Sequence, residues 1–152
     1  MYIQEAKIND SKKILHLAGQ LRKSAYLEMG LPIPAQLVDP ASEKYLLTLF
    51  DRSDIHLIVA KENDEIIGFC MAVETPKITE GRNRIDILEL IIDEKNRSKG
   101  IGSAFLRSVE KIAKHRGLLY VKVATGTKMK SNEFYKKNGY LHIENMYRKK
   151  IK

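Results

Sequence analysis

The sequence predicts an α/β (α+β) fold: a central mixed sheet of about six to seven strands and about four helices, antiparallel in its first half, with a βαβ crossover in its second. Three observations predict it. Apolar residues recur at helical spacing in two long segments, and they alternate or run β-branched in several short ones. The segment after Ile85 reads as strand, glycine-containing turn, helix and strand.

In chain order, Tyr2 to Lys7 reads as a short strand, followed by Asn9, Asp10 and Ser11, any of which can cap a helix. Ile14, Leu17, Ala18, Leu21 and Ala25 form one apolar stripe over residues 11 to 27. Gly30, Pro32 and Pro34 break that helix. A second helix is expected from Asp39 as N-cap, with Pro40 in its first turn, to about Asp51. Ile55 to Lys61 and Glu65 to Glu74 read as strands around the turn Glu62-Asn63-Asp64, and Ile85 to Asp93 as another. Lys99 to Arg116 follows as a helix with Ile101, Phe105, Val109, Ile112 and Ala113 inward and Gly117 as its stop. Leu119 to Val123 is a strand, residues 128 to 138 a short helix ended by Gly139, and Tyr140 to Ile151 a β-prone tail, either one bent strand or a hairpin.

With 152 residues and no linker-like tract, residues 1–152 are read as one domain, long enough for a substantial core. The single cysteine, Cys70, excludes an intrachain disulfide, and four scattered histidines give no metal-ligand spacing, so no metal is expected. Met1 to Asp10 lacks an apolar leader core, and no apolar run approaches the roughly 20 residues of a membrane span. The expectation is a soluble, cytoplasmic protein with no membrane partner. The net charge of +8 favours anionic partners without choosing among nucleic acid, membrane surface and a phosphorylated cofactor.

The stretch from Glu89 to Leu106 carries the chemistry. A strand passes through a glycine-containing turn directly into a helix, whose first turn leaves backbone N–H groups unpaired and adds partial positive charge. Gly100 and Gly102 are read as leaving room for a diphosphate on those donors. The plain alternative is a tight turn with close strand–helix packing. A P-loop is absent, and a dinucleotide fingerprint would need a third glycine where Phe105 stands.

What remains, Arg97-x-x-Gly100-x-Gly102, resembles motif A of the GNAT superfamily of acyl-CoA-dependent N-acetyltransferases. The flanks Glu89 to Glu94 and Ser103 to Leu106 are similar too. Phe134-Tyr135-Lys136-Lys137-Asn138-Gly139-Tyr140 resembles the family's later aromatic-tyrosine block. Together these cover residues 85 to 142, with Glu65 to Phe69 similar to the family's third strand. The resemblance implies a GNAT-like sheet with splayed strands in its second half. It also implies acetyl-CoA as cosubstrate and an amine as acceptor. By that resemblance, Arg97, Ser98, Lys99, Gly100, Ile101, Gly102 and Ser103 cradle the pyrophosphate, while Leu90, Ile91 and Ile92 offer backbone groups to the pantetheine arm. A main-chain N–H nearby would polarise the thioester carbonyl. The sequence departs from the family where an asparagine is usual seven residues before the tyrosine; Lys128 stands there and is a candidate to reach a phosphate, and Ser131 occupies the small-residue position.

An alkylamine with a pKa of about 10.4 must lose a proton before it attacks, so a carboxylate is sought. Glu89 and Asp86 lie on the strand entering the motif, and Glu74 is a third candidate. Ile85, Ile87 and Ile91 keep odd-numbered parity as an apolar face, and Glu89 shares that parity and would break the face. A one-residue bulge near Leu88 would turn Glu89 to the side of Asp86. Each carboxylate also reads as an ordinary edge or surface charge. Tyr135 matches, by motif, the acid that protonates the departing thiolate and the cofactor contact beside it; its plain reading is a core aromatic. Cys70 lies mid-strand without a histidine or carboxylate partner in view, which favours direct attack over an acyl-enzyme.

The loops Met29 to Asp39 and Thr75 to Arg84 are the expected acceptor determinants. Acidic residues near them lean towards a cationic amine: a polyamine, an aminoglycoside-like sugar or a peptide amine. Two rivals stand beside this reading, a catalytically silent acyl-CoA-binding regulator and a basic nucleic-acid-binding module. Against the latter, no zinc-finger or RNA-recognition signature is present and aromatic content is 7%. The β-prone tail leaves a homodimer open.

Overall fold

The computed structural model describes residues 1–32, 40–126, 129–144, 146 and 149. In chain order it contains β1 (Tyr2–Glu5), α1 (Ser11–Met29), α2 (Pro40–Leu49), β2 (Ile55–Glu62), β3 (Glu65–Lys77), β4 (Arg82–Ile92), α3 (Ile101–His115), β5 (Val121–Val123) and α4 (Ser131–Lys137). The five strands lie in the order β1-β2-β3-β4-β5. The first four pair antiparallel, and β5 joins β4 in parallel, so α3 is the crossover of a βαβ unit.

This is the mixed sheet the sequence predicts, with five strands among the described residues rather than six or seven. The difference lies in the tail, where the described residues from Tyr140 onward form no strand. Leu141 and Ile143 remain 83% and 78% exposed, so among the described residues nothing buries this β-prone stretch as the inner face of a strand is buried. Asp39 and residues 145, 147–148 and 150–152 lie outside the described residues, as does most of the expected acceptor loop before α2.

The sheet is covered on both faces. On one, α3 packs Ile101, Phe105, Leu106, Val109 and Ala113 against Ile58, Ala60, Ile67, Cys70, Ala72, Ile85 and Ile87. On the other, Ile14 and Leu17 of α1 and Leu46 and Leu49 of α2 pack against Leu57, Val59, Ile66, Phe69 and Ile91. On β2, residues of opposite parity supply opposite cores, as a pleated strand requires. The β2–β3 connection is the two-residue turn Asn63-Asp64, with φ of 48° and 63°, the doubly left-handed geometry that matches hairpin twist. Before α1, Asp10 accepts hydrogen bonds from the Lys7 amide at 2.8 Å and the Lys61 ammonium at 2.9 Å. Among the described residues no helix is long and apolar enough to cross a membrane.

Candidate active site

The sheet opens where β4 outlasts its neighbour. Parallel pairing joins Ile85, Asp86 and Ile87 to Val121, Lys122 and Val123 and stops there. β4 continues from Leu88 to Ile92, paired only with β3 among the described residues. The β4 edge on the β5 side is therefore free of ladder partners from Leu88 onward, as the splayed strands implied by the sequence require.

A bulge sits at the start of this opening. Met71 pairs with Glu89 and Ala72 with Ile87, which leaves Leu88 as the extra residue. Before it, Ile85 and Ile87 face the α3 core; after it, Ile91 faces the α1–α2 core while Leu90 and Ile92 pack towards α3. Glu89 thus lies on the face of Ile91 and Asp86, as the parity argument anticipates. Bulges also sharpen local twist, which turns β4 away from β5 where the split begins.

The three carboxylates have different surroundings. Asp86 lies at the closed end of the β4–β5 pair. Arg84 donates to it through Nε at 2.7 Å and Nη2 at 3.4 Å, and the Thr75 hydroxyl donates at 2.8 Å. Three hydrogen bonds from Arg84 and Thr75 thus hold its two oxygens. Glu74 pairs in register with Ile85 and so lies on the α3 face, where His56 Nε2 is 3.0 Å and Arg116 Nε 3.3 Å from its Oε1. Glu89 lies within the split. Burial pushes its carboxyl up from the ordinary range, and the positive charge of Arg22 on α1 partly opposes that.

The turn after β4 is built to expose amides. Ser98 and Gly100 both take left-handed φ values, 65° and 77°, before α3 begins at Ile101. Successive residues that alternate in this way bring N–H groups to one concave side. The Ala104 N–H bonds the Gly100 carbonyl at 3.1 Å. The amides of Ile101, Gly102 and Ser103 precede that bond and have no intrahelical acceptor. Ile101 is 2% exposed and pins the helix start in the core. Arg97, Ser98 and Lys99 line the rim: Arg97 Nε donates to the Ile92 carbonyl at 3.3 Å, and Lys99 Nζ to Asn96 Oδ1 at 2.9 Å. Ile91 is buried, so only its backbone faces the opening. Lys128 lies outside the described residues.

The two glycines prove to have different reasons. A side chain at Gly100 would meet open space, so its positive φ explains the glycine. A Cβ at Gly102 would come 2.9 Å from Phe134 Cζ. Gly102 therefore also admits the Phe134 ring of α4, a packing reason that the sequence reading did not give. No single-segment argument could find it, because the partner lies in the other motif.

Phe134 meets Tyr135 edge-on at 5.0 Å between ring centroids, and Tyr135 meets Tyr140 likewise at 6.0 Å. Burial pushes the Tyr135 phenol up to about 12, with the nearby Cys70 adding to the shift. Burial likewise pushes the Cys70 thiol up to about 12, reinforced by the charge of Glu89, so it stays protonated and a poor nucleophile. Tyr135 packs against the α3 core, while Glu89 belongs to the opposite face of the sheet. A cavity of about 1420 Å³ lies along β5 and the tail; Tyr135, Val123 and Gly126 line it, and the Gly100–Ser103 turn does not.

An opened α/β sheet with an amide-rich turn at its mouth defines an N-acetyltransferase fold. The Acetyltransferase (GNAT) family model matches residues 22–140, and the chain belongs to that family. Among solved structures it is similar to a transcriptional regulator from Bacillus halodurans, at TM-score 0.82 and 22% identity, with 99% of each chain covered. It is also similar to a glucosamine-6-phosphate N-acetyltransferase from Arabidopsis thaliana, at TM-score 0.78 and 17% identity over 99% of this chain and 98% of that one. An aminoglycoside acetyltransferase from an uncultured soil metagenomic sample gives TM-score 0.76 and 17% identity, over 99% and 96%. At such identities these structures share the fold. No curated protein sequence matches the chain significantly.

Proposed function

We propose that this chain transfers an acetyl group from acetyl-CoA to a primary amine of a small molecule or peptide by direct attack. The observation that carries the reading is the β4–β5 split, with Glu89 on one face of the sheet, Tyr135 on the other and unpaired amides at its end. The Ile101, Gly102 and Ser103 amides and the Arg97 and Lys99 side chains would hold the pyrophosphate. The free edge of Leu90 to Ile92 would hold the pantetheine arm in strand-like fashion.

Glu89 first takes a proton from the ammonium, and the freed lone pair attacks the thioester carbonyl. The C–S bond of the tetrahedral adduct then breaks, the remaining proton on nitrogen returning to the Tyr135 phenolate left when the thiolate is protonated. The raised pKa of Glu89 brings it closer to neutrality, where a base works best. Tyr135 gives its phenolic proton to the departing thiolate. Asp86 is already bound by Arg84 and Thr75, which leaves the base role to Glu89. The protonated Cys70 supports attack without an acyl-enzyme.

Calorimetry with acetyl-CoA and CoA, then thiol release across a panel of polyamines, aminoglycosides and peptide amines, tests the proposal. Binding with turnover on at least one amine is expected. No uptake of any CoA thioester by the folded protein overturns it, and thermal stabilisation by acetyl-CoA without thiol release across the panel assigns a binding-only regulator instead.

A further inference from the structure

We propose that Glu28 is a positioning residue for Tyr135, tying α4 to the last turn of α1; the proposal rests on Tyr135 being the acid named above. Glu28 lies far from Tyr135 in sequence, and neither motif includes it.

Gly30 takes a left-handed φ of 67° and donates its N–H to the Leu27 and Tyr26 carbonyls, which fixes where α1 ends. One turn back, Glu28 Oε2 accepts the backbone N–H of Lys130 at 3.2 Å. Lys130 is the residue that enters α4, and its own side chain makes no capping hydrogen bond. Glu28 thus supplies from another helix the acceptor for the N-cap N–H that an N3 side chain gives in a capping box. The neighbouring Met29 places Sδ 3.6 Å from where a Cβ on Gly126 would stand, so the α1 end touches the segment into α4 at two points.

That segment is braced internally. Asn132 Nδ2 donates to the Gly126 carbonyl at 2.9 Å and the Met129 carbonyl at 2.7 Å, and the Thr125 and Ser131 hydroxyls lie 2.5 Å apart. A displacement of Lys130 is therefore carried into the helix that bears Tyr135. On its other side α4 is held by Phe134 against Gly102. Two opposed anchors fix the phenol, one apolar on α3 and one polar on α1. Losing the polar anchor leaves the helix docked but free to rock about Phe134.

The test uses the full chain with Glu28→Ala and Glu28→Gln, alone and combined with Tyr135→Phe. Amide exchange is followed by mass spectrometry, and kcat and KM are measured for an amine that supports turnover. In Glu28→Ala, exchange over residues 129–137 rises roughly five-fold, the scale of one ordinary hydrogen bond, with the sheet unaffected. The kcat falls by a similar factor at unchanged KM, and Glu28→Gln, which keeps an acceptor oxygen, restores both. In the Tyr135→Phe background Glu28→Ala adds no further loss.

Unchanged exchange over α4 overturns the proposal, as does a kcat loss that persists in full beside Tyr135→Phe. A raised KM with kcat unchanged also overturns it, assigning Glu28 to the acceptor instead. A Tyr135→Phe variant as fast as wild type removes the acid itself and this role with it, whereas a slow Tyr135→Phe beside a silent Glu28→Ala refutes the role of Glu28 alone.

Discussion

Gly68 on β3 is the place where a single methyl group would press on the opening of the sheet. A Cβ there would lie 2.8 Å from the Ile91 carbonyl oxygen, 3.0 Å from Ile92 Cδ1 and 3.2 Å from Phe105 Cε2. The first of these is backbone and cannot rotate away, so Gly68→Ala must move β4 or lift α3. Overpacking of this kind costs about 1–3 kcal/mol, and the upper half applies where backbone is struck. The gain from replacing glycine inside a strand, roughly 0.5–1 kcal/mol, offsets part of it. A net loss of about 2 kcal/mol remains, which for a chain of this size lowers Tm by roughly 4–8 °C. Urea denaturation at constant m-value, beside calorimetric melting, measures it. The same displacement falls on Ile91 and Ile92, so acetyl-CoA affinity drops as well. Gly102→Ala is the control: it meets only the tip of the Phe134 ring, which can swing, so it costs less stability and acts on kcat through the neighbouring Tyr135. A Gly68→Ala variant that melts at or above wild type would refute the packing argument.

Glu89→Gln lowers kcat by roughly 10²-fold or more, the scale of a lost general base. In the wild type the acidic limb of the rate profile lies above the ordinary carboxylate value of about 4.3, because burial raises the Glu89 pKa. The folded carboxyl thus holds its proton more tightly than the unfolded one, so its contribution to stability is present at low pH and is lost as pH rises through the raised value. Glu89→Gln is accordingly more stable than wild type at neutral pH, and denaturation at pH 4 and 7.5 checks the sign. Tyr135→Phe reduces kcat at least ten-fold while calorimetry finds acetyl-CoA affinity unchanged. At Asp10 burial pushes the carboxyl up, but the Lys7 amide and Lys61 outweigh it and hold it below the usual range. Its stabilisation is present above the unfolded value and lost as pH falls through the folded one, so Asp10→Asn narrows the gap in stability between pH 7 and pH 3.

Legibility in the sequence follows how local each cause is. The helices over Ser11–Met29 and Ile101–His115 and the first four strands are legible because periodicity and glycine stops are local signals. The bulge at Leu88 is legible for an unusual reason: a carboxylate occupied an apolar parity, and one extra residue was the least change that removed the conflict. The commitment of Asp86 to Arg84 and Thr75 was not legible, because Thr75 comes from the neighbouring strand and its reach depends on register. The fit of Phe134 to Gly102 and the bond from Lys130 to Glu28 join segments far apart in the chain, and nothing at either end alone announces them. The tail reads as β-prone, yet β-propensity yields a strand only where an edge and a core receive it.

The bulge makes the split and the placement of Glu89 one feature rather than two. Were β4 regular through Leu88, Glu89 would continue the parity of Ile85 and Ile87 and point into the α3 core beside Phe105, where an ionised carboxylate has no partner. The extra residue moves Glu89 to the α1 face, within the field of Arg22, and hands its former side to Leu90 and Ile92, which suit an apolar core. The same residue adds twist at the point where β5 ceases to pair, so the edge that loses its ladder is the edge next to the relocated carboxylate. Tyr135 packs on the α3 side, next to Phe134, which meets Gly102 at the start of α3. Glu89 and Tyr135 thus belong to opposite faces of the sheet, as the proposed division into proton acceptor and proton donor requires.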